Sequence, residues 1–175
     1  MQQQSEQTPR QLVVMRHATA EPGGETDFAR ELAQRGWDDA VAAGRWLADG
    51  GLVPDGALVS AARRATSTWL ALAEGGSFEA EAAYSESLYA AGPETALDLV
   101  RETAPEVVSL VVVGHNPTMA YLAQLLDDGS GDPDAAREMA VGFPAGAVAW
   151  FEVEGTWAEL DLASARLVRF HVGRA

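Results

Sequence analysis

Leu110-Val111-Val112-Val113-Gly114-His115-Asn116-Pro117 opens on four consecutive apolar residues, closes that run with Gly-His, and continues into Asn-Pro. A strand with one wet face alternates apolar and polar residues. A strand that is apolar at every position has both faces covered, the condition of a parallel sheet with helices on either side. Working outward, Val13-Val14-Met15-Arg16-His17-Ala18 is built the same way, as an apolar strand that ends in Arg-His. The chain has three histidines, and two of them directly follow these strands. In an open parallel sheet, ligands bind in the crevice at the carboxyl ends of the strands. The pattern therefore predicts that His17 and His115 face one another across one site, with Arg16 beside them.

The rest of the chain alternates accordingly. Residues 11–15 predict a first strand and 21–26 a Gly-rich loop. Residues 36–48 predict a helix with Ala40, Ala43, Gly44 and Leu47 on one face, stopped by Gly50-Gly51. A short second strand is expected at 57–60, a helix at 63–74 ended by Gly75-Gly76, and a third strand at 79–84. Gly92-Pro93 opens a further helix, because proline suits the first helical position. Leu97, Val100 and Ala104 give that helix its apolar spacing and Pro105 ends it. Residues 107–113 form the central strand. Asn116 is a good N-cap and Pro117 a good first residue for a helix through Leu126. Residues 127–134 read as a solvated acidic loop. Residues 147–153, 156–160 and 166–172 read as three closing strands, with Glu154-Gly155 as a tight hairpin turn. This pattern is an α/β class, a three-layer α/β/α sandwich with a mostly parallel central sheet. Residues 1–10 read as a disordered leader and 11–175 as a single domain, with no internal repeat or dividing linker.

Composition narrows the function. The chain has 175 residues, of which 47% are hydrophobic, enough to bury a core and too many for a disordered protein. No apolar run approaches a membrane span, and residues 1–11 carry no secretory signal. There is no cysteine, which excludes a disulfide scaffold, a thiolate nucleophile and a cysteine zinc site, and agrees with a cytoplasmic location. No cluster of metal-ligand spacing is present and no cofactor is expected. The net charge is −14 and every one of the 12 basic residues is arginine. Nucleic acid and anionic membranes need a basic footprint, so neither is an expected partner. An anionic substrate would have to be held by a local positive pocket against the overall field.

Such a pocket has a third piece. Ser60-Ala61-Ala62-Arg63-Arg64-Ala65-Thr66-Ser67-Thr68 follows the second strand and opens a helix. A helix N-terminus presents free N–H groups and the positive end of its dipole, so it attracts phosphate. An arginine in that first turn adds a planar, always charged fork. Two imidazoles plus a guanidinium at one crevice point to phosphate chemistry. Taken singly, each piece has a plainer reading: Arg16 and His17 ending a strand in solvent, Arg64 as a surface arginine, His115 as a structural residue. Three motifs in order outweigh them.

Arg16-His17-Ala18, then Ser60 with Arg64, Ala65 and Thr68, then Gly114-His115-Asn116-Pro117 resemble the histidine phosphatase superfamily, which includes phosphoglycerate mutases and small phosphohistidine phosphatases. The likeness is greatest to the compact phosphohistidine phosphatase branch. It extends to Asp27 through Arg30, to Leu32 through Gly36, to Leu88-Tyr89-Ala90-Ala91 before a helix, and to Gly142-Phe143-Pro144, so that it covers nearly the whole chain from residue 11. The resemblance implies a phosphoglycerate mutase-like fold and a metal-independent phosphatase. His17 would be the nucleophile, and Arg16, Arg64 and His115 would complete the phosphate pocket. The chain departs from the superfamily pattern at Ala18, where glycine is usual, and at Ala61, where proline is usual.

Mutase-like members carry a glutamate after the middle strand that protonates the leaving group. Glu86 lies in about that region and is the candidate acid, although it also reads as a surface carboxylate. Glu21, Glu25 and Asp27 are its rivals. A phosphohistidine substrate fits this ambiguity, because imidazole leaves more readily than an alkoxide and needs a tuned acid less. The expected partner is thus a phosphorylated substrate, with protein phosphohistidine preferred. The alternatives are small phosphomonoesters, or a phosphate-binding or scaffold protein with an inactive site. Ser60 and Thr68 read as structural, and His171 as a surface or partly buried histidine without a role. Trp37, Trp46 and Trp69 sit at helix positions that suit core packing.

Overall fold

The alternating strands and helices assemble into a sheet with helices on both faces. A computed structural model describes residues 7–174. Its elements in chain order are β1 (Arg10–Arg16), α1 (Gln34–Asp49), β2 (Gly56–Ser60), α2 (Arg63–Gly76), β3 (Ala82–Ser85), α3 (Glu86–Ala90), α4 (Pro93–Arg101), β4 (Ser109–Gly114), α5 (Thr118–Leu126), α6 (Pro133–Val141), β5 (Ala147–Val153), a 3-10 turn at Trp157–Glu159, and β6 (Ala165–Val172). The strand order is β3-β2-β4-β1-β5-β6. The first four strands in that order run parallel, and β5 and β6 close the sheet with antiparallel pairs. The expected mostly parallel sheet is observed.

The two apolar strands divide their side chains between two cores, because successive residues of a strand point to opposite faces. Leu12, Val14, Leu110 and Val112 pack with Leu97 and Val100 of α4, Leu122 and Leu126 of α5, and Met139 of α6. Val13, Met15, Val111 and Val113 pack with Ala40, Ala43 and Leu47 of α1 and with Ala65, Trp69 and Leu72 of α2. The unbroken apolar runs thus have the double burial that their composition demands. Trp69 is buried as expected, whereas Trp37 and Trp46 only rest, half-buried, against the edge of the core.

Several expected boundaries move, each for a physical reason. Gly75-Gly76 does not stop α2. Both glycines lie inside the helix, and Ser77 ends it with a left-handed φ of 55°. A Cβ on Gly75 would stand 2.0 Å from the Val41 carbonyl oxygen, and one on Gly44 would stand 2.0 Å from that of Leu72. These glycines let α1 and α2 pack backbone to backbone. Helix α4 ends at Arg101, well before Pro105, and Ala104 is exposed beyond it. The central strand starts at Ser109, two residues later than expected. Residues 156–160 are a 3-10 turn and not a strand: Trp157 is buried there and its indole N–H donates to the Val107 carbonyl. Two strands therefore close the sheet in place of three, and Glu154-Gly155 opens a longer connection, not a hairpin. The expected acidic loop extends only to Asp132, whose carboxylate caps α6 by accepting from the Ala135 N–H. Of the expected leader, residues 1–6 lie outside the described residues and Arg10 already belongs to β1.

Candidate active site

Register brings the two histidines together. In the β1–β4 pair Met15 lies opposite Val113 and Arg16 opposite Gly114. The ladder extends one step further, the His17 N–H donating to the Gly114 carbonyl at 2.9 Å. His17 and His115 therefore leave adjacent strands at the same level, with ring centroids 5.2 Å apart. The chain crosses over in opposite directions from β1 and β4, so the crevice opens at a topological switch point.

Arg64 reaches this crevice from the first turn of α2, 5% exposed. Its Nε donates to His17 Nε2 at 3.3 Å, and its Nη2 donates to His115 Nδ1 at 3.2 Å. A guanidinium can only donate, so each of these imidazole nitrogens accepts and the proton sits on the other one. On His17 that proton is on Nδ1, which donates to the Ala18 carbonyl at 2.7 Å. On His115 it is on Nε2, which donates to Ser60 Oγ at 2.7 Å. Ser60 Oγ also accepts from the Ala62 N–H. Thr68, one turn beyond Arg64, donates to the Arg64 carbonyl and accepts from the Ala18 N–H. Ser60 thus fixes the His115 ring, and Thr68 ties the backbone of Arg64 to that of Ala18.

The electrostatics keep both imidazoles neutral. Burial pushes His17 down to about 4, with Arg64 and Arg16 acting the same way and the Ala18 hydrogen bond opposing them. Burial pushes His115 down to about 3, helped by His17 and Arg64. Arg16 is half-buried. Its Nη1 donates to the Phe143 carbonyl, and its buried Nε has no partner among the described residues. Asn116 Nδ2 donates to the same Phe143 carbonyl, and the Gly146 N–H donates to the His17 carbonyl. The Phe143 carbonyl and the Gly146 N–H therefore brace both motifs. Among the described residues no group of three or more His, Asp or Glu side chains is placed to hold a metal ion.

The four candidate acids separate. Glu86 is exposed in the first turn of α3 and makes no hydrogen bond or ion pair with the histidines or Arg64. Glu21 and Glu25 are exposed in the loop after β1. Asp27 alone reaches the site, and it arrives as a paired carboxylate. Its Oδ2 accepts from Arg64 Nη2 at 3.0 Å and from the Tyr89 hydroxyl at 2.7 Å, and its Oδ1 accepts from Arg30 at 3.1 Å. The Asp27 backbone carbonyl accepts from Arg64 Nη1. Tyr89 and Arg30 hold the Asp27 carboxyl far below its usual range, with Arg64 adding to them. Tyr89, whose ring lies 5.4 Å from that of His115, was not anticipated as a site residue. Its only signal was membership of the Leu88-Tyr89-Ala90-Ala91 segment. His171 lies elsewhere, half-buried and stacked on Trp46 at 4.6 Å.

No family model matches the chain. An uncharacterised protein of Mycobacterium tuberculosis is 41% identical over 162 residues, which span 91% of this chain and 100% of the relative. Among solved structures, one from Nakamurella multipartitia assigned as a phosphohistidine phosphatase SixA superposes with a TM-score of 0.84 at 31% identity, covering 97% of this chain and 99% of that one. One from Agrobacterium tumefaciens with the same assignment superposes with a TM-score of 0.77 at 29% identity, covering 94% and 99%. No helix among the described residues is long and apolar enough to cross a membrane.

Proposed function

The chain belongs to the histidine phosphatase superfamily, with its phosphoglycerate mutase-like fold, and on that premise we propose that it is a metal-independent phosphatase working through a phosphorylated His17, with protein phosphohistidine as its preferred substrate class. The observation that carries this reading is the state of His17. Its ring is neutral, its Nδ1–H is tied to the Ala18 carbonyl, and its Nε2 lone pair faces the Arg64 guanidinium. A phosphoryl group bound by Arg64 meets that lone pair.

In the first step Nε2 forms a bond to phosphorus, and the bond from phosphorus to the leaving group breaks with its electron pair on the leaving atom. The His17 ring becomes cationic, and the Nδ1–H bond to the Ala18 carbonyl strengthens. Arg16 and Arg64 donate to the phosphoryl oxygens, where charge accumulates, and such preorganised donors are usually the largest catalytic term, while the neutral His115 lines the pocket beside them. In the second step water attacks the phosphohistidine, releasing phosphate and restoring neutral His17. Residues 11–175 act as one domain, and the absence of cysteine supports a cytoplasmic setting.

The reading is tested by hydrolysis of a phosphohistidine-bearing protein against p-nitrophenyl phosphate and a panel of small phosphomonoesters at equal enzyme concentration. A large preference for phosphohistidine is expected, with inhibition by vanadate and none by a chelator. Preference for one small ester would replace protein phosphohistidine with a metabolite, and Glu86 would be the first acid to mutate. Turnover of none of them would turn the reading into that of a phosphate-binding protein.

A further inference from the structure

An anion-binding pocket does not ordinarily carry a carboxylate on its principal arginine, yet Asp27 Oδ2 lies 3.0 Å from Arg64 Nη2. That same Nη2 is 3.2 Å from His115 Nδ1, so the carboxylate stands beside the phosphate pocket itself. The placement is built. The Tyr89 hydroxyl and Arg30 hold the two carboxylate oxygens. The next residue, Phe28, accepts the Arg63 N–H on its carbonyl and packs edge-on against Tyr89 with centroids 5.0 Å apart. The loop is thereby fastened to both α2 and α3. While Arg64 is buried, the Asp27 side chain is 54% exposed, so the carboxylate marks the mouth of the pocket. A carboxylate offers about four acceptor sites. Among the described residues Tyr89, Arg64 and Arg30 take three, which leaves one on Oδ1.

Paired as it is with Arg64 and Arg30, the carboxylate still presents an acceptor at the mouth, which favours a donor N–H there and disfavours a further carboxylate. We propose that Asp27 is the specificity-determining residue of this site: its Oδ1 accepts the N–H of a cationic nitrogen leaving group and repels phosphate compounds that carry a further carboxylate. This inference rests on the phosphatase reading above and deepens it. A phosphorylated imidazole that is protonated on its other ring nitrogen is such a leaving group. When His17 Nε2 attacks, the P–N bond breaks with its pair on the departing nitrogen. The product is neutral imidazole, whose remaining N–H is still donated to Asp27. No external proton is required, and the site then has no need of a carboxylic acid in the position expected for Glu86.

The test is Asp27→Asn in the full chain, which removes the charge but retains an oxygen acceptor. Phosphoramidate, with a cationic nitrogen leaving group, is compared with 3-phosphoglycerate, and phosphoethanolamine with 3-phosphoglycerate as a pair of esters. For the wild type, kcat/KM should favour the cationic member of each pair. In Asp27→Asn the preference should fall by about 10- to 100-fold, the range of one hydrogen bond to a charged group, with turnover of 3-phosphoglycerate rising. Tyr89→Phe, which loosens the carboxylate without removing it, should move the ratio the same way by less. An equal loss on both members would overturn the proposal, because it would reduce Asp27 to a brace for Arg64. An unchanged ratio would overturn it as well. A wild type that hydrolyses esters but no P–N bond would sink the phosphohistidine reading instead, and the ester pair would still decide the role of Asp27.

Discussion

Arg64 concentrates the chemistry of this site in one side chain. Its Nε meets His17, its Nη2 meets His115 and Asp27, and its Nη1 meets the Asp27 carbonyl. Lysine offers the same charge on one compact ammonium and cannot serve these directions together. Arg64→Lys should therefore lower kcat/KM by about 10²- to 10³-fold, in the range of losing a preorganised transition-state donor. Steady-state kinetics on p-nitrophenyl phosphate checks this, and a loss under threefold would remove Arg64 from the centre of the account. The histidines and arginines were legible because each follows a strand or opens a helix, where sequence position determines spatial position. The partners of Asp27 were not legible. Tyr89 meets it across a separation of 62 residues, and nothing local to either residue encodes that approach.

At the scale of elements, α1 packs closely on α2, the helix that carries Arg64 in its first turn. Gly44 and Gly75 each abut a carbonyl of the opposite helix. Gly75→Ala forces the helices apart and should destabilise the chain by roughly 1–3 kcal/mol, the usual cost of overpacking. A denaturant titration measures it, and an unchanged midpoint would mean that the helices separate freely. The same glycines show why a boundary was misread. Gly-Gly signals a stop when only local chain conformation is considered, but here the absence of Cβ serves a neighbouring helix. Asp132-Pro133 is the opposite case. The cap and the first-turn proline stood in the sequence, but α6 turns only a narrow stripe, Ala135 and Met139, to the core, and so weak a periodicity left residues 135–141 without an assignment. Trp157 was misassigned because its apolar surroundings suit a strand or a buried turn equally, and only tertiary packing separates the two.

For the molecule as a whole, the inference that mattered was that two fully apolar strands carry His17 and His115 to one crevice, and the sheet order sets those strands side by side. Its energetic consequence is acid lability. Unfolded histidine takes up its proton near ~6.5, whereas folded His17 and His115 do so only at about 4 and about 3. Between these values the unfolded chain binds more protons, so this stability is complete above about pH 6.5 and is lost as the pH falls towards the folded values. Thermal unfolding between pH 7 and pH 4.5 should show a falling Tm, with a flatter profile in the His17→Asn, His115→Asn double variant. Parallel profiles would mean that these rings are not buried neutral. The central claim, a covalent phosphoryl-enzyme on His17, is tested most directly by quenching turnover into base and locating phosphate by peptide mass spectrometry. The account predicts an acid-labile, base-stable phosphate on His17, absent from a His17→Ala variant that has lost turnover but still binds phosphate. Undiminished turnover by His17→Ala, or phosphate trapped on another residue, would contradict it.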